Sequence, residues 1–149
     1  MARDAAAAVC YVDTSALIKR YLRETGSEAF EVFCARTEIE RVICPLGITE
    51  FTSALQRRLR LGNLNARQVA LVRQGLIADV ASGGWRVIDF ESDVFSKANQ
   101  LLGELGAPLS TLDALHLACA LQYGVVHFAT ADLQLATAAR KAKLQVHTF

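Results

Sequence analysis

Apolar residues fall along this chain in two rhythms. Short apolar runs of about four to six residues, each stopped by a polar or turn residue, alternate with longer segments in which apolar side chains recur every three or four positions. The short runs read as buried strands and the longer segments as helices with one face turned inward. Strands are expected at Val9–Val12, Arg41–Cys44, Trp85–Ile88, Val125–Thr130 and Leu144–His147. Helices are expected over Ala16–Leu22, Ser27–Arg36, Leu46–Leu61, Asn65–Val80, most of Asp89–Gly106, Ser110–Tyr123 and Leu133–Ala142. Gly26, Pro45, Gly62-Asn63 and Ser82-Gly83-Gly84 supply the breaks. Met1–Asp4 reads as a loose terminus. Strands alternating with helices predict an α/β fold, a three-layer sandwich around a parallel sheet. No repeat or linker divides the chain, so a single domain over residues 1–149 is expected.

Ser110–Tyr123 differs from the other helical segments because it is apolar nearly all round, the mark of a helix inside a domain. It carries one carboxylate, Asp113, in its first turn. A capping box, with Ser110 as N-cap and Asp113 three residues on, accounts for that acid by itself. A functional role needs other acids to meet it.

The composition narrows the setting. With 149 residues, 52% hydrophobic and 21% charged, the chain is long and apolar enough for a real core. A net charge of +1 excludes a polybasic protein but leaves room for a local basic patch. The longest apolar run, Ala5–Val12, is too short for a membrane span and lacks the flanks of a signal peptide. Cys10, Cys34, Cys44 and Cys119 have neither CxxC spacing nor nearby histidine pairs. They read as reduced thiols of a cytoplasmic protein rather than a disulfide frame or zinc site.

Parallel sheets bind ligands beyond the carboxyl ends of their strands. Asp13 follows the first expected strand and Asp132 the fourth, Glu50 lies just past the second, and Asp113 opens the helix that feeds the fourth. All four are expected near one sheet edge. Asp13 and Asp132 also suit helix N-caps. Glu50 has Ser53 and Ala54 at the i+3 and i+4 positions, so no local cation explains it. Carboxylates sharing a site repel, and a divalent cation is the simple remedy. Oxygen-only ligands select Mg²⁺ or Mn²⁺, which activate water and screen a phosphate.

Asp13-Thr14-Ser15-Ala16-Leu17, Glu50-Phe51-Thr52-Ser53-Ala54-Leu55, Leu112-Asp113-Ala114-Leu115-His116-Leu117-Ala118 and Thr130-Ala131-Asp132 together resemble the PIN-domain ribonucleases, most of all the VapC-type toxins of toxin–antitoxin pairs. The resemblance runs from about Val9 to Val146. It implies a five-stranded parallel sheet of order 3-2-1-4-5, with the first and fourth strands side by side. It also implies Mg²⁺-dependent endoribonuclease activity, a homodimer and a cognate antitoxin. In that frame Asp13, Glu50, Asp113 and Asp132 are the catalytic candidates, with Asp13, Asp113 and Asp132 as metal ligands. The family often has Gly before its last strand. Here Lys143 stands there, which bears on the final turn.

Secondary candidates are Thr14, Ser15 and Thr130, as partners of the carboxylates or as caps, and His116, one turn from Asp113, as a core histidine or a support for the acids. Asp89 follows the third strand, at the sheet edge in the implied order, and reads as a loop residue. Arg57, Arg58 and Arg60, and Arg140, Lys141 and Lys143, offer phosphate contacts or simply solvated faces. The apolar residues Leu17, Tyr21, Phe30 and Phe33 of the early helices exceed what a thin sandwich buries, so a partner surface is expected there. Against an RNA-cleaving toxin stand a housekeeping RNA-processing nuclease, a phosphoacceptor domain and a catalytically silent interaction module. The phosphoacceptor reading lacks an acidic pair on the first loop and a signalling lysine in the last.

Overall fold

A computed structural model describes residues 8–149. The Met1–Asp4 reading lies outside them. Strands β1 (Ala8–Val12), β2 (Ile39–Ile43), β3 (Arg86–Val87), β4 (His127–Thr130) and β5 (Gln145–Thr148) form one sheet of order β3-β2-β1-β4-β5. All pairings are parallel, with Tyr11 opposite Val42 on one side and Phe128 on the other. The order is the one the family resemblance implies. β1 sits at the centre, and its Cys10–Val12 segment is fully buried, which is why it reads as unbroken apolar sequence.

Helices cover both faces: α1 (Thr14–Leu17, continued as a 3-10 turn to Arg20), α2 (Ser27–Cys34), α3 (Pro45–Arg60), α4 (Ala66–Ala81), α5 (Asp93–Glu104), α6 (Thr111–Tyr123) and α7 (Leu133–Lys141). On one face Tyr11, Val42 and Phe128 pack against α5, α6 and α7. On the other, Cys10, Val12, Ile43 and Ala129 pack against α1 to α4. Residues Ala114–Ala120 of α6 are buried without interruption, because the helix lies beneath α5 as well as on the sheet. That double burial is what its all-round apolar sequence requires.

Several boundaries differ from the sequence reading. The first helix is a single α-turn that tightens into 3-10 geometry rather than Ala16–Leu22. Cys44 leaves the second strand to become the N-cap of α3, because Pro45 opens the helix with no N–H to satisfy. β3 keeps only two residues, both exposed on an edge strand, with the Ile88 N–H still bonded to Ile43 O at 2.8 Å. Asp89–Ser92 remains a loop before α5.

The early apolar side chains do not form a free surface. Leu17, Phe30 and Phe33 are buried within the chain itself, since α4 contributes Val69 and Leu76 to the same core. The Tyr21 hydroxyl donates to Asp79 of α4 and accepts from the indole of Trp85, each at 2.7 Å. The chain supplies the cover that was expected from a partner.

The final turn forms despite lacking glycine. The Leu144 N–H bonds to Ala139 O and the Lys143 N–H to Arg140 O, the pair of bonds that closes a helix in the Schellman manner. Gly124 ends α6 with the same pattern at φ 78°, and Lys143 adopts φ 69°, a conformation glycine takes without strain.

Candidate functional site

The carboxyl ends of β1 and β4 meet side by side, and the acids that follow them share one cleft. A depression of about 420 Å³ is lined by Asp13, Glu50, Asp113 and Asp132, together with Thr14, Ser15 and His116. The four acids arrive from different segments: the end of β1, the early part of α3, the first turn of α6 and the end of β4. Asp89 is not among them.

Asp13 is held from every side. It caps α1 by accepting the Ala16 N–H at Oδ1. The Ser15 hydroxyl lies 2.8 Å from Oδ1 and 2.9 Å from Oδ2, and the Thr130 hydroxyl donates to Oδ2 at 2.8 Å. Ser15 also accepts the Ala131 N–H, and Thr130 accepts the Asp132 N–H. The two hydroxyls thus tie the β1 and β4 ends together through one carboxylate. Asp13 is only 4% exposed. Burial raises its pKa to about 6, although the nearby His116 charge and these hydrogen bonds pull the other way.

Asp132 caps α7 through Oδ1, which accepts the Gln134 and Leu135 N–H groups. Asp113 receives no comparable support. Its own N–H bonds to Ser110 Oγ, so Ser110 is indeed the N-cap of α6. Burial raises the Asp113 pKa, and the charges of Asp132 and Glu50 add to the rise while Ser110 and His116 oppose it. Asp13 and Asp132 therefore cap helices and line the cleft at once. Capping engages one carboxylate oxygen at Asp132 and leaves Oδ2 without a protein partner among the described residues.

Glu50 finds a cation after all, from a distant helix. Its Oε1 accepts from Thr14 Oγ1 at 2.7 Å and pairs closely with His116 Nε2. Burial would raise the Glu50 pKa, but the His116 bond and charge together bring it below the ordinary value. His116 is 2% exposed, and its Nδ1 meets the Tyr11 hydroxyl at 2.7 Å, which also contacts Cys44 Sγ at 2.8 Å. Burial disfavours a charged imidazole here. The pairings with Cys44 and Glu50 and the Asp13 charge outweigh that and lift its pKa to about 10. His116 is thus both a core histidine and the partner of a site acid. Spacing alone could show the first role; the second needed α3 and α6 to be brought together.

The donor set suits a hard divalent cation. It is all carboxylate and hydroxyl oxygen, and the raised pKa values of Asp13 and Asp113 mark negative charge that the protein alone does not neutralise. Among the described residues no three His, Cys, Asp or Glu side chains stand close enough to form a ready-made ligand cluster. The four cysteines are unpaired, and none lines the cleft.

Solved structures share this fold. VapC20 of Mycobacterium tuberculosis, described as a sarcin-ricin loop cleaving toxin, aligns at a TM-score of 0.66 with 18% identity, covering 87% of this chain and 94% of that one. FitAcB from Neisseria gonorrhoeae aligns at 0.70 with 15% identity, covering 93% and 96%. A toxin–antitoxin complex from Klebsiella pneumoniae aligns at 0.64 with 14% identity, covering 93% and 96%. A comparison with curated proteins gives no match. The family model of the PIN domain matches residues 10–141, a span that includes all four acids, and the chain belongs to the PIN-domain family.

Proposed function

We propose that this protein is a Mg²⁺-dependent endoribonuclease, with Mn²⁺ as an alternative ion, and that it is the toxin of a toxin–antitoxin pair. The observation that carries the reading is the gathering of Asp13, Glu50, Asp113 and Asp132 in one cleft of a PIN domain. A divalent cation, when bound, activates water and screens the phosphate. Asp13, Asp113 and Asp132 are the residues that would hold and orient that ion. Thr14 and His116 both engage Oε1 of Glu50, so Oε2 is the oxygen that accepts a proton from the attacking water. The P–O3′ bond breaks, the 3′ oxygen takes a proton from solvent, and the other product carries a 5′-phosphate. Ser15 and Thr130 hold Asp13, and through it the cleft floor.

Control by a cognate antitoxin follows from the same reading, and a neighbour of this fold was solved as a toxin–antitoxin complex. Homodimer formation would use apolar side chains the chain leaves exposed, such as Phe95 and Leu102 on α5 or Leu71 and Ile77 on α4. No helix among the described residues is long and apolar enough to cross a membrane, and the unpaired thiols suit the cytoplasm. Incubation with bulk RNA tests the activity. Cleavage in Mg²⁺ or Mn²⁺ that stops in EDTA and leaves 5′-phosphate ends is the expected result. RNA left intact in both metals, or cleavage that persists in EDTA, overturns it.

A further inference from the structure

The cleft has a second end, and it is cationic. Lys19, Glu24 and Arg58 line the same depression as the four acids. Lys19 lies in the 3-10 turn after α1 and is 8% exposed, with Nζ 3.1 Å from Glu24 Oε1. Arg58 comes from the last turn of α3, with Nη2 3.0 Å from Glu24 Oε2. One carboxylate thus serves two cations and leaves the group one positive charge in excess. The other terminal nitrogen of Arg58, Nη1, is buried and has no hydrogen-bond partner among the described residues. A buried charged donor without an acceptor is costly and therefore uncommon.

A guanidinium matches the oxygens of a phosphate with its planar fork, and a lysine beside it adds a point charge. The other cations of the sequence clusters are placed differently. Arg57, Arg60, Arg140, Lys141 and Lys143 are exposed and absent from the cleft lining, and Lys141 is engaged by the Gly106 carbonyl. Arg58 alone in those clusters lines the cleft with the acids.

We infer that Arg58, supported by Lys19, binds a backbone phosphate of single-stranded RNA beside the bond to be cut, and that Glu24 is the counter-ion this phosphate displaces. The inference rests on the nuclease reading for the identity of the ligand. It differs from a purely structural Lys19–Glu24–Arg58 tie in the sign of one effect. If Glu24 competes with the phosphate, removing its charge strengthens RNA binding. If the three residues only brace α3 against the preceding loop, removing either charge loosens the cleft and weakens binding.

The test uses the full chain with Asp113→Asn to suppress cleavage, a short fluorescein-labelled single-stranded RNA, and anisotropy in Mg²⁺ across a range of KCl. Arg58→Gln should weaken binding about tenfold and lower the salt slope by about one ion. Glu24→Gln should tighten it about threefold, an electrostatic gain of the size one freed charge supplies. Should Arg58→Gln unfold, Arg58→Lys keeps the charge without the fork, and it should bind more weakly than the parent with the same salt slope. Weakening by Glu24→Gln, or no measurable RNA binding by that variant, overturns the inference. Cleavage by the parent protein is scored separately. A parent that cleaves without the opposed effects removes the phosphate site and keeps the nuclease. Opposed effects in a parent that does not cleave do the reverse.

Discussion

Asp13 and Asp113 are both aspartates at the mouth of a helix, yet the protein treats them in opposite ways. Asp13 is buried under two hydroxyls and a backbone N–H that fix the orientation of its carboxylate. Asp113 is half-buried, and its carboxylate lies in the fields of Asp132 and Glu50. The contrast separates two tasks. The closed end of the cleft fixes the spacing between β1 and β4. The open end holds carboxylates that repel one another.

The largest expected effect falls at the open end. Asp113→Asn keeps the backbone bond to Ser110 Oγ, so α6 should retain its cap, while RNA cleavage should fall by about two orders of magnitude or more. Cleavage against Mg²⁺ concentration measures this, and full activity with an unchanged metal requirement would remove Asp113 from the site.

At the closed end the expected effect is on stability. The folded-state pKa of Asp13 lies above its ordinary 3.8, at about 6, so the folded chain holds this proton more tightly than the unfolded chain does. Below the unfolded value the group is neutral in both states and costs nothing. Ionisation is penalised progressively as pH rises through that window, reaching about 3 kcal/mol above it. In EDTA, Asp13→Asn should therefore unfold at higher denaturant than the parent at pH 7, and the gap should close near pH 4. A gap independent of pH would show that Asp13 is not the group titrating.

A smaller loss is expected between the two ends. Tyr11→Phe removes the hydroxyl that His116 Nδ1 and Cys44 Sγ share, leaving buried polar atoms unmet at a cost of about 1–3 kcal/mol. Because Thr14 still holds Glu50, kcat should fall far less than in Asp113→Asn. Equal losses of kcat in the two variants would mean that the open end depends on the core beneath it. The smallest effect calibrates the others. Lys143→Gly relieves the φ 69° turn and should raise stability by up to about 1 kcal/mol with no change in cleavage.

These contrasts were unequally legible in the sequence. Strands and helices declared themselves through their periodicities, and α6 through an apolar circumference that only a doubly covered helix needs. The sheet order came with the family motifs, not from any run of residues. The four acids were found because each sits next to a strand end or helix start, where chain geometry concentrates ligands. Their partners were hidden. His116 serves Glu50 across 66 positions of sequence, and Glu24 serves Arg58 across 34, distances at which no local pattern is informative. The early aromatic residues misled for a related reason. Their excess over a thin sandwich was real, but α4, from later in the chain, absorbs it.

The hydroxyl of Thr130 reaches Asp13 across 117 residues, and this sets a timetable for the nascent chain. β1 leaves the ribosome well before β4, so the Ser15–Asp13–Thr130 junction cannot close until β4 has been made. Contacts of such long range also slow the final search, because the intervening loop must be ordered first. An incomplete chain, whether stalled or truncated before β4, therefore has three of its acids at most and no cleft floor. The cleft takes shape only once β4 has been made.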